Sequence, residues 1–331
     1  MVTNERRQPA FLAKQRRAST RVVVGVDGGG TKTQAVIIDM NLAVLGEGLA
    51  GPSNPLRVGI ATAAAAVREA IDKACEAAEV RRTDIVAAEI GLAGARRKEL
   101  SARMREALSG LGISALTVVS DADIALYGAT EGEPGVIVIA GTGSICCGIN
   151  ARRKMACAGG WGPIAGDEGG GSWIARRALR AIAHATDGRG PATSLSDAAC
   201  GYFHVSDAND LSTAIYSPTI TNERLAGFGK HVIEAAKAKD RVARDILTEA
   251  GRELGLAAAA VIRNLKLEHD TFRVSYVGGV FRAAGELVLS GLREEVKKVA
   301  PHATFAPPRF SPVVAAARMA LERLNHIALA V

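Results

Sequence analysis

The segment that reads DGGGTKT, residues 27–33, brings glycines, hydroxyls and charges together. It ends an apolar, β-branched run, a composition typical of a buried strand. Consecutive glycines let backbone N–H groups approach anionic oxygens closely. Thr31 adds a hydroxyl, Lys32 adds a positive charge, and Asp27 adds a carboxylate that can hold a hydrated Mg²⁺. A plain hairpin turn needs fewer glycines, so we interpret the segment as a phosphate-binding turn.

A second segment of this kind reads GTGS at residues 141–144. It follows an apolar run at residues 136–140, and another apolar run at 145–149 comes after it. The order of strand, glycine–threonine turn and returning strand thus occurs twice in the chain. This internal echo predicts two related lobes with a cleft between them, in which two hairpin turns hold a triphosphate from opposite sides.

Two carboxylates lie between these turns, in the sequence VVSDAD. Asp121 comes directly after a predicted short strand, at the junction of the two predicted lobes. Phosphoryl transfer needs mainly positioning and neutralised charge, plus one group that accepts the proton of the attacking hydroxyl. We interpret Asp121 as this general base. Asp123 is the alternative, although a carboxylate at that position also suits the cap or first turn of a helix.

The segment GGWGPIAGDEGGGSW, residues 159–173, combines many glycines with two tryptophans and two acids. Glycines lose much conformational entropy on folding, so this many are unusual in a plain linker. Carboxylates and backbone amides bind sugar hydroxyls, and an indole offers a flat face or a donor. We interpret the segment as a sugar-binding loop. A connecting loop with capping acids before the Trp173 helix is the alternative.

Two shorter signals complete the predicted site. Gly279 lies in GGVF, between a predicted strand and a predicted helix, where a flat adenine can lie against bare backbone. Asn54 lies in GPSNP and is a turn residue by composition, but its side chain could also reach a sugar hydroxyl from the first lobe. Both interpretations depend on the motifs around them.

The surrounding elements predict an α/β protein. Strands are predicted at residues 21–27, 33–39, 45–50, 85–92, 117–120, 136–140, 145–149 and 274–277. Helices are predicted at residues 60–78, 97–111, 173–185, 225–237, 245–265, 285–299 and 313–324. The turn between the first two strands is too short for a crossover helix, which excludes a dinucleotide-binding βαβ unit there. We expect residues 21–118 with 312–331 to form one lobe, residues 119–311 the other, and residues 1–20 a flexible basic tail.

Composition narrows the class further. The 331 residues are 48% hydrophobic and 23% charged, which is ordinary for a folded chain long enough for two domains. The net charge of +7 comes largely from the N-terminal residues, and basic and aromatic residues are not interleaved, so we expect no nucleic-acid partner. No apolar run approaches the length of a membrane span. Five irregularly spaced cysteines without a C-x-x-C pair predict small buried side chains in a reducing cytoplasm.

Taken in chain order, DGGGTKT, GPSNP, SDA, GTGS, GGWGPIAGDEG and GGV resemble the N-acetylglucosamine kinase branch of the sugar kinase, heat-shock protein and actin superfamily. That branch groups with the BadF/BadG/BcrA/BcrD-type ATPases. The resemblance runs from about Val22 onward, and GGWG-x-x-x-GDEG is its most specific element. It implies two actin-like, ribonuclease H-like lobes with an interlobe cleft. It also implies ATP and Mg²⁺ as cofactors, transfer of the γ-phosphate to the 6-hydroxyl of N-acetylglucosamine, and a homodimer as in many family members.

The resemblance further implies roles for individual residues. Asp121 takes the proton of the sugar 6-hydroxyl, and Asp27 lies near the metal, which it holds through water. The implied ATP-binding residues are Gly28, Gly29, Gly30, Thr31, Lys32, Thr33, Thr142, Ala226, Gly279 and Ala283. The implied sugar-binding residues are Asn54, Asp121, Ser144, Ile145, Gly160, Trp161, Gly162 and Asp167.

One departure from the family pattern keeps the substrate open. The animal N-acetylglucosamine kinase has a polar Asn after GTGS, where this chain has Ile145. Free glucosamine or another hexose therefore remains an alternative substrate.

Two alternatives belong to other functional classes. A redox activator of the same ATPase group couples ATP hydrolysis to iron–sulfur electron transfer and would need cysteines on loops that meet a partner. A sugar-sensing repressor would need an N-terminal helix-turn-helix, and roughly 20 residues before the first strand are too few for one.

Overall fold

The computed structural model describes residues 21–329, with side chains described through residue 325. The predicted basic tail, residues 1–20, lies outside the described residues. In the part of the chain that the structure describes, no helix is long and apolar enough to cross a membrane.

The first sheet has five strands. They are β1 (Val22–Gly28), β2 (Thr33–Asp39), β3 (Val44–Ala50), β4 (Ile85–Leu92) and β5 (Ala115–Ser120). Their order across the sheet is β3-β2-β1-β4-β5. β2 is antiparallel to both β1 and β3, while β4 and β5 run parallel to β1. The pairing of β1 with β2 confirms the hairpin predicted around the DGGGTKT turn.

The second sheet repeats the first, strand for strand. Its strands are β6 (Gly135–Ala140), β7 (Ser144–Ile149), β8 (Met155–Gly159), β9 (Arg273–Val277) and β10 (Thr304–Ala306). They are ordered β10-β9-β6-β7-β8, and β6, β7 and β8 are again antiparallel neighbours whereas β9 and β10 run parallel to β6. The repeat confirms the predicted α/β fold of two actin-like lobes.

Helices cover the faces of both sheets. Those of the first half of the chain are α1 (Pro55–Ala77), α2 (Lys98–Leu108), α3 (Asp121–Thr130), α4 (Gly162–Ala165), α5 (Gly171–Thr186) and α6 (Leu195–Phe203). Those that follow are α7 (Leu211–Ile215), α8 (Asn222–Lys237), α9 (Arg241–Leu265), α10 (Gly279–Ala284), α11 (Glu286–Val299) and α12 (Pro312–Leu329). α1 and α2 pack on one face of the first sheet, and α5, α8, α9 and α11 build the larger apolar core on the second.

Two helices cross between the lobes. α3 follows β5 of the first sheet, but Ala125 and Ala129 on its apolar face pack against Ile137 of the second. α12 follows β10 of the second sheet, but packs on the first sheet so closely that a Cβ atom on Gly25 would collide with the backbone of Ala317. This packing agrees with the expected return of the last helix to the first lobe. The helices α3 and α12 therefore connect the two lobes.

The helix predicted at residues 285–299 is present as α11, and a separate helix that was not predicted, α10, precedes it and ends at Ala284. Gly285 has a left-handed φ of 54° and turns the chain before α11 begins. Glycine adopts this conformation without strain, so the break is local to that residue.

The prediction for the cysteines is wrong for one pair. Cys147 and Cys157 are directly paired on the neighbouring strands β7 and β8, and their Sγ atoms form a disulfide. Antiparallel pairing brings the two backbones close, which spacing in the sequence does not reveal. Cys75 and Cys146 are buried free thiols, as predicted, and Cys200 is a partly exposed one.

Candidate active site

The DGGGTKT turn is a tight hairpin with free backbone donors. The N–H of Gly29 donates to the carbonyl of Lys32 at 2.9 Å and closes the turn. Thr31 and Lys32 are exposed. Within the described residues, the N–H groups of Gly30, Thr31 and Lys32 make no hydrogen bond. Free amides beside a lysine suit anionic oxygens.

Two residues at the ends of this turn are instead used for packing. Thr33 is fully buried, and its Oγ1 lies 2.6 Å from the carbonyl oxygen of Gly51 and 2.7 Å from Oγ of Ser53. Gly28 is also buried: its carbonyl accepts the N–H of Ala93 at 2.8 Å, and a Cβ atom there would collide with Ser53. The hydroxyl of Thr33 therefore holds the GPSNP loop, and the assignment of this residue to ATP binding stays a prediction. Gly28 is required by the same packing.

The GPSNP loop is tied to the phosphate turn through its backbone. The N–H groups of Ser53 and Asn54 both donate to the carbonyl of Gly29, at 3.0 and 3.1 Å. Asn54 also caps α1, because its Oδ1 accepts the N–H of Leu56 at 3.0 Å. Its Nδ2 has no hydrogen-bond partner among residues 21–329, so this amide can still donate to a ligand.

The GTGS turn is fixed by the second lobe. The N–H of Gly141 donates to the carbonyl of Gly143 at 2.9 Å. The carbonyls of Gly141 and Thr142 accept N–H groups at the start of α5, from Gly171 at 2.8 Å and from Ser172 at 2.9 Å. The turn thereby satisfies helix-terminal amides that would otherwise lack partners.

A cavity of about 490 Å³ is lined by both turns. Thr31 of the first turn and Thr142 of the second border it, together with Ala226 of α8 and Gly279 and Ala283 of α10. These five residues were all assigned to ATP by resemblance. Residues from four separate parts of the sequence thus meet at one cavity, whose size is typical of a small-molecule site.

The rest of the cavity has one apolar and one charged part. Ile174, Ile233 and Val280 give it an apolar wall on which a flat base can lie. The carboxylates of Glu223 and Glu234 and the ammonium group of Lys230, all on α8, add charges of both signs. This combination suits a nucleotide, which has an apolar ring at one end and anionic oxygens at the other.

Asp121 and Asp123 differ in what they contact. Oδ2 of Asp123 accepts the N–H and the Oγ–H of Ser120, at 3.0 and 2.8 Å, and the N–H of Asp123 donates back to that Oγ at 3.2 Å. This reciprocal pair is a capping box. Asp121 accepts the N–H of Ala122 at 2.9 Å and has no side-chain partner among the described residues. The capping role foreseen for Asp123 is therefore present, and the carboxylate that remains available is that of Asp121.

Burial makes both aspartates of the cleft weaker acids than usual. It raises the pKa of Asp121, the nearby charge of Asp123 adds to this, and the N–H of Ala122 opposes it. Burial likewise raises the pKa of Asp27 to about 6, with a further contribution from the charge of Asp121 and an opposing one from Lys32. A carboxylate with a raised pKa is a better proton acceptor, which suits a general base.

Ser144 joins the GTGS turn to the glycine-rich loop. Its Oγ donates to the carbonyl of Glu168 at 2.7 Å. Asp167 is buried beside it, and its carboxylate accepts the N–H groups of Ser144 and Gly162. A Cβ atom on Gly143 would come within 2.9 Å of Oδ1 of Asp167, so only glycine fits there. Burial raises the pKa of Asp167, and the two N–H groups counteract it.

The first part of the glycine-rich loop faces solvent. The side chain of Trp161 is 78% exposed. The N–H of Gly160 donates to the carbonyl of Ser144 at 2.9 Å, and Ile145 packs against this glycine. Gly160 and Gly162 have left-handed φ values of 72° and 82°. The loop therefore presents the indole while its neighbours remain attached to β7.

Sequence reasoning missed one charged pair at the cavity. Arg57 of α1 lies over Gly30 and forms an ion pair with Glu223, which lines the cavity from α8. The two residues are far apart in the sequence, and neither belongs to a glycine-rich motif. No local pattern could have found them.

Two repeated lobes with a nucleotide-sized cavity between glycine–threonine turns define an ATP-dependent phosphotransferase of the actin-like class. Residues 24–320 match the model of the BadF/BadG/BcrA/BcrD ATPase family. Because this match covers nearly the whole chain, the protein belongs to that family.

Several relatives are kinases by name. The chain is 35% identical over 261 residues to an N-acetylmuramic acid/N-acetylglucosamine kinase of Clostridium acetobutylicum, covering 78% of this chain and 85% of the relative. It is 30% identical over 316 residues to an N-acetyl-D-glucosamine kinase of Dictyostelium discoideum, covering 92% and 98%. A solved structure from Chromobacterium violaceum, provisionally assigned as an N-acetylglucosamine kinase, shares 27% identity with a TM-score of 0.76 and covers 92% and 100%. These relatives confirm the predicted enzyme class, an ATP-dependent sugar kinase.

Proposed function

We propose that the protein transfers the γ-phosphate of ATP to the 6-hydroxyl of N-acetylglucosamine. The observation that carries the proposal is the meeting of Thr31 and Thr142, from two lobes, at one cavity. Half-buried Asp121 lies at the start of the helix that crosses between those lobes. In this role it accepts the proton of the sugar hydroxyl as the hydroxyl attacks.

The nucleotide is held by groups of the chain that have no other task. The free N–H groups of Gly30 and Thr31 donate to phosphate oxygens, and Lys32 neutralises part of their charge. Thr142 approaches from the opposite side. The apolar wall of the cavity receives the adenine. Closing of the lobes over both substrates excludes water, which limits hydrolysis of ATP.

The sugar is bound between the GPSNP loop and the glycine-rich loop. Nδ2 of Asn54 donates to a sugar hydroxyl from the first lobe. Asp167 and Ser144 contribute from the second lobe, and the exposed indole of Trp161 covers the ring. The names of the relatives support an amino sugar, with N-acetylglucosamine common to two of them.

Free glucosamine is the second candidate. Ile145 places an apolar side chain against Gly160, where the family pattern has a polar residue for the acetamide. A relative of Vibrio cholerae that is 30% identical over 72% of this chain and 79% of its own length is named glucosamine kinase GspK. The contacts that Ile145 and Gly160 make with the substituent on the sugar nitrogen therefore determine which of the two sugars is preferred.

A magnesium ion fits the donor set when it arrives with ATP. Mg²⁺ is commonly held by one or two carboxylates, water and substrate phosphates. Asp27 supplies such a carboxylate, and its raised pKa reflects a buried charge that a cation would stabilise. No cluster of three His, Cys, Asp or Glu side chains within residues 21–329 could hold a metal by itself. When bound, the ion would neutralise charge that develops on the phosphates.

The proposal also covers the organisation of the chain. The first lobe comprises residues 21–118 with 312–329, and the second comprises residues 119–311, so that the cleft lies between the GPSNP loop and the glycine-rich loop. Residues 330–331, also predicted for the first lobe, lie outside the described residues.

A coupled assay of ADP release with MgATP tests this function. N-acetylglucosamine, N-acetylmuramic acid, glucosamine and glucose are offered separately to the full-length protein. We expect the highest kcat/KM with N-acetylglucosamine. Turnover with glucosamine alone would mean that glucosamine is the substrate of the same phosphoryl transfer. Release of ADP that no sugar stimulates would contradict a sugar kinase.

A further inference from the structure

Arg57 is held rigidly beside the phosphate turn. Its N–H donates to the carbonyl of Asn54 at 2.9 Å, and the N–H of Asn54 donates to the carbonyl of Gly29. The guanidinium lies over Gly30: a Cβ atom there would be 3.2 Å from Nη1 and 3.7 Å from Cζ. These two backbone hydrogen bonds therefore connect the backbone of Arg57, through Asn54, to the turn that is to bind phosphate.

The guanidinium has unused donors at this position. Nη1 pairs with Oε1 of Glu223. Nε and Nη2 of Arg57 have no hydrogen-bond partner in the described part of the chain. The guanidinium passes over Gly30, in the turn whose N–H groups at Gly30 and Thr31 are also free. Arginine presents its donors as a planar fork that matches a phosphate, so this set of free donors is suited to one.

Glu223 carries a negative charge into a cavity meant for an anion. Burial alone would raise its pKa, but hydrogen bonds from its own N–H, from Arg57 and from Thr221 together lower it. Glu223 lies three residues before Ala226 on α8 and lines the same cavity. A carboxylate there would repel the triphosphate unless a cation compensated it, and Arg57 is that cation.

An ordinary surface ion pair does not account for this arrangement. The two side chains are 43% and 36% exposed, and pairs as exposed as this contribute little to stability. The pair joins α1 of the first lobe to α8 of the second, and its carboxylate, Glu223, lines the nucleotide cavity.

We propose that Arg57 binds the terminal phosphate of ATP through Nε and Nη2, while Glu223 orients the guanidinium through Nη1. The inference deepens the proposed kinase function and rests on it for the identity of the nucleotide. Because Arg57 and Glu223 belong to different lobes, the same contact links phosphate binding to the approach of the lobes. ADP lacks the terminal phosphate and would lose this contact.

Calorimetry with the full-length protein tests the proposal. The probes are MgADP and the magnesium complex of a non-hydrolysable ATP analogue. For Arg57→Ala we expect at least a tenfold weaker binding of the analogue and less than a threefold change for ADP. Arg57→Lys keeps the charge but not the fork and should fall between. Lys73→Ala, which removes an exposed, ion-paired cation of the same helix, is the matched control and should change neither affinity.

Glu223→Gln separates phosphate binding from a simple bridge between lobes. Glutamine keeps an oxygen that can accept from Nη1 of Arg57, so we expect Glu223→Gln to weaken binding of the analogue less than Arg57→Ala does, and we expect the full Arg57→Ala loss in the double variant. If Glu223→Gln weakens binding as much as Arg57→Ala, and the double variant is no worse, the pair only bridges the lobes and the proposal is overturned. An unchanged affinity in Arg57→Ala overturns it as well. If the wild type binds the analogue but phosphorylates no sugar, the proposed kinase function is contradicted. The binding measurements on the Arg57 variants would still test the role of Arg57.

Discussion

Ser120 and Asp123 cap each other at the start of α3, and the carboxylate between them in sequence, Asp121, has no side-chain partner among the described residues. A capped helix start fixes the backbone of Asp121 without occupying its carboxylate. Asp123, two residues further along the chain, can therefore position the proposed general base without taking part in proton transfer.

Asp121→Asn should remove the base and leave the shape of the site unchanged. We expect kcat for sugar phosphorylation to fall by about 10²–10⁴-fold, the usual contribution of a general base. KM for ATP should stay within a few-fold, because nucleotide contacts lie elsewhere. Steady-state rates of ADP release measure both quantities.

Asp123→Asn is the matched control for that variant. It keeps an oxygen that can accept from Ser120 but removes a negative charge from the first turn of α3, so the free energy of unfolding should fall by about 0.3–1 kcal/mol, visible as a lower Tm. Most of kcat should remain. Equal losses of kcat in the two variants would mean that the base has been assigned wrongly.

The activity should depend on pH in a range unusual for aspartate. Asp27 has a pKa of about 6 in the folded protein and must be ionised to hold a cation. The carboxylate forms only above that pKa, so kcat/KM for ATP should fall as the pH drops through about 6. An ordinary aspartate would lose its charge only near pH 4. A profile from pH 5 to 8 that stays flat would contradict this assignment.

Trp161 should report sugar binding by fluorescence. Its indole is 78% exposed, and the other tryptophan, Trp173, packs against the core of the second lobe. A sugar that covers Trp161 removes water from the indole, so the emission should shift to shorter wavelength during titration. Trp161→Phe should abolish the shift. If the shift persists in that variant, the indole does not contact the sugar.

The sequence allowed the fold and much of the site to be predicted because the decisive signals are local. The two glycine–threonine turns end buried strands. Because the order of strand, turn and returning strand occurs twice, it predicted the repeated sheets. β8 escaped prediction because Met155–Gly159 is short and rich in small residues, without a clear alternation. Its pairing with β7, and with it the disulfide, depends on strand register.

The role of Thr33 could not be read from its motif. A hydroxyl beside a glycine turn is suited to bind phosphate. The hydroxyl of Thr33 instead forms hydrogen bonds with Gly51 and Ser53, in a loop about twenty residues later. The contact of Arg57 with Glu223 likewise could not be predicted, because the two residues are distant in the sequence and meet only in the folded protein. Contacts of this kind need the fold before they can be seen.

Close packing of α12 on β1 should make Gly25 intolerant of any side chain. A Cβ atom there would collide with the backbone of Val313 and Ala317. Gly25→Ala should lower the free energy of unfolding by at least about 1–3 kcal/mol, the usual cost of overpacking. Thermal or denaturant unfolding measures the loss.

Gly201→Ala is the matched control for that substitution. Gly201 lies inside α6, and a Cβ atom there would meet nothing within 4 Å. Alanine in a helix is favoured over glycine, so this variant should be as stable as the wild type or up to about 1 kcal/mol more stable. Similar losses in both variants would show that α12 does not pack as described.

The central claim is the transfer of a phosphoryl group to the 6-hydroxyl of an amino sugar, and the product itself tests it most directly. The full-length protein is incubated with MgATP and N-acetylglucosamine, and the product is examined by phosphorus and proton NMR. We expect one new phosphate ester whose phosphorus couples to the protons on carbon 6 of the sugar. We expect no such ester when Asp121→Asn replaces the wild type. Inorganic phosphate without a sugar ester, or an ester at another hydroxyl, would contradict it.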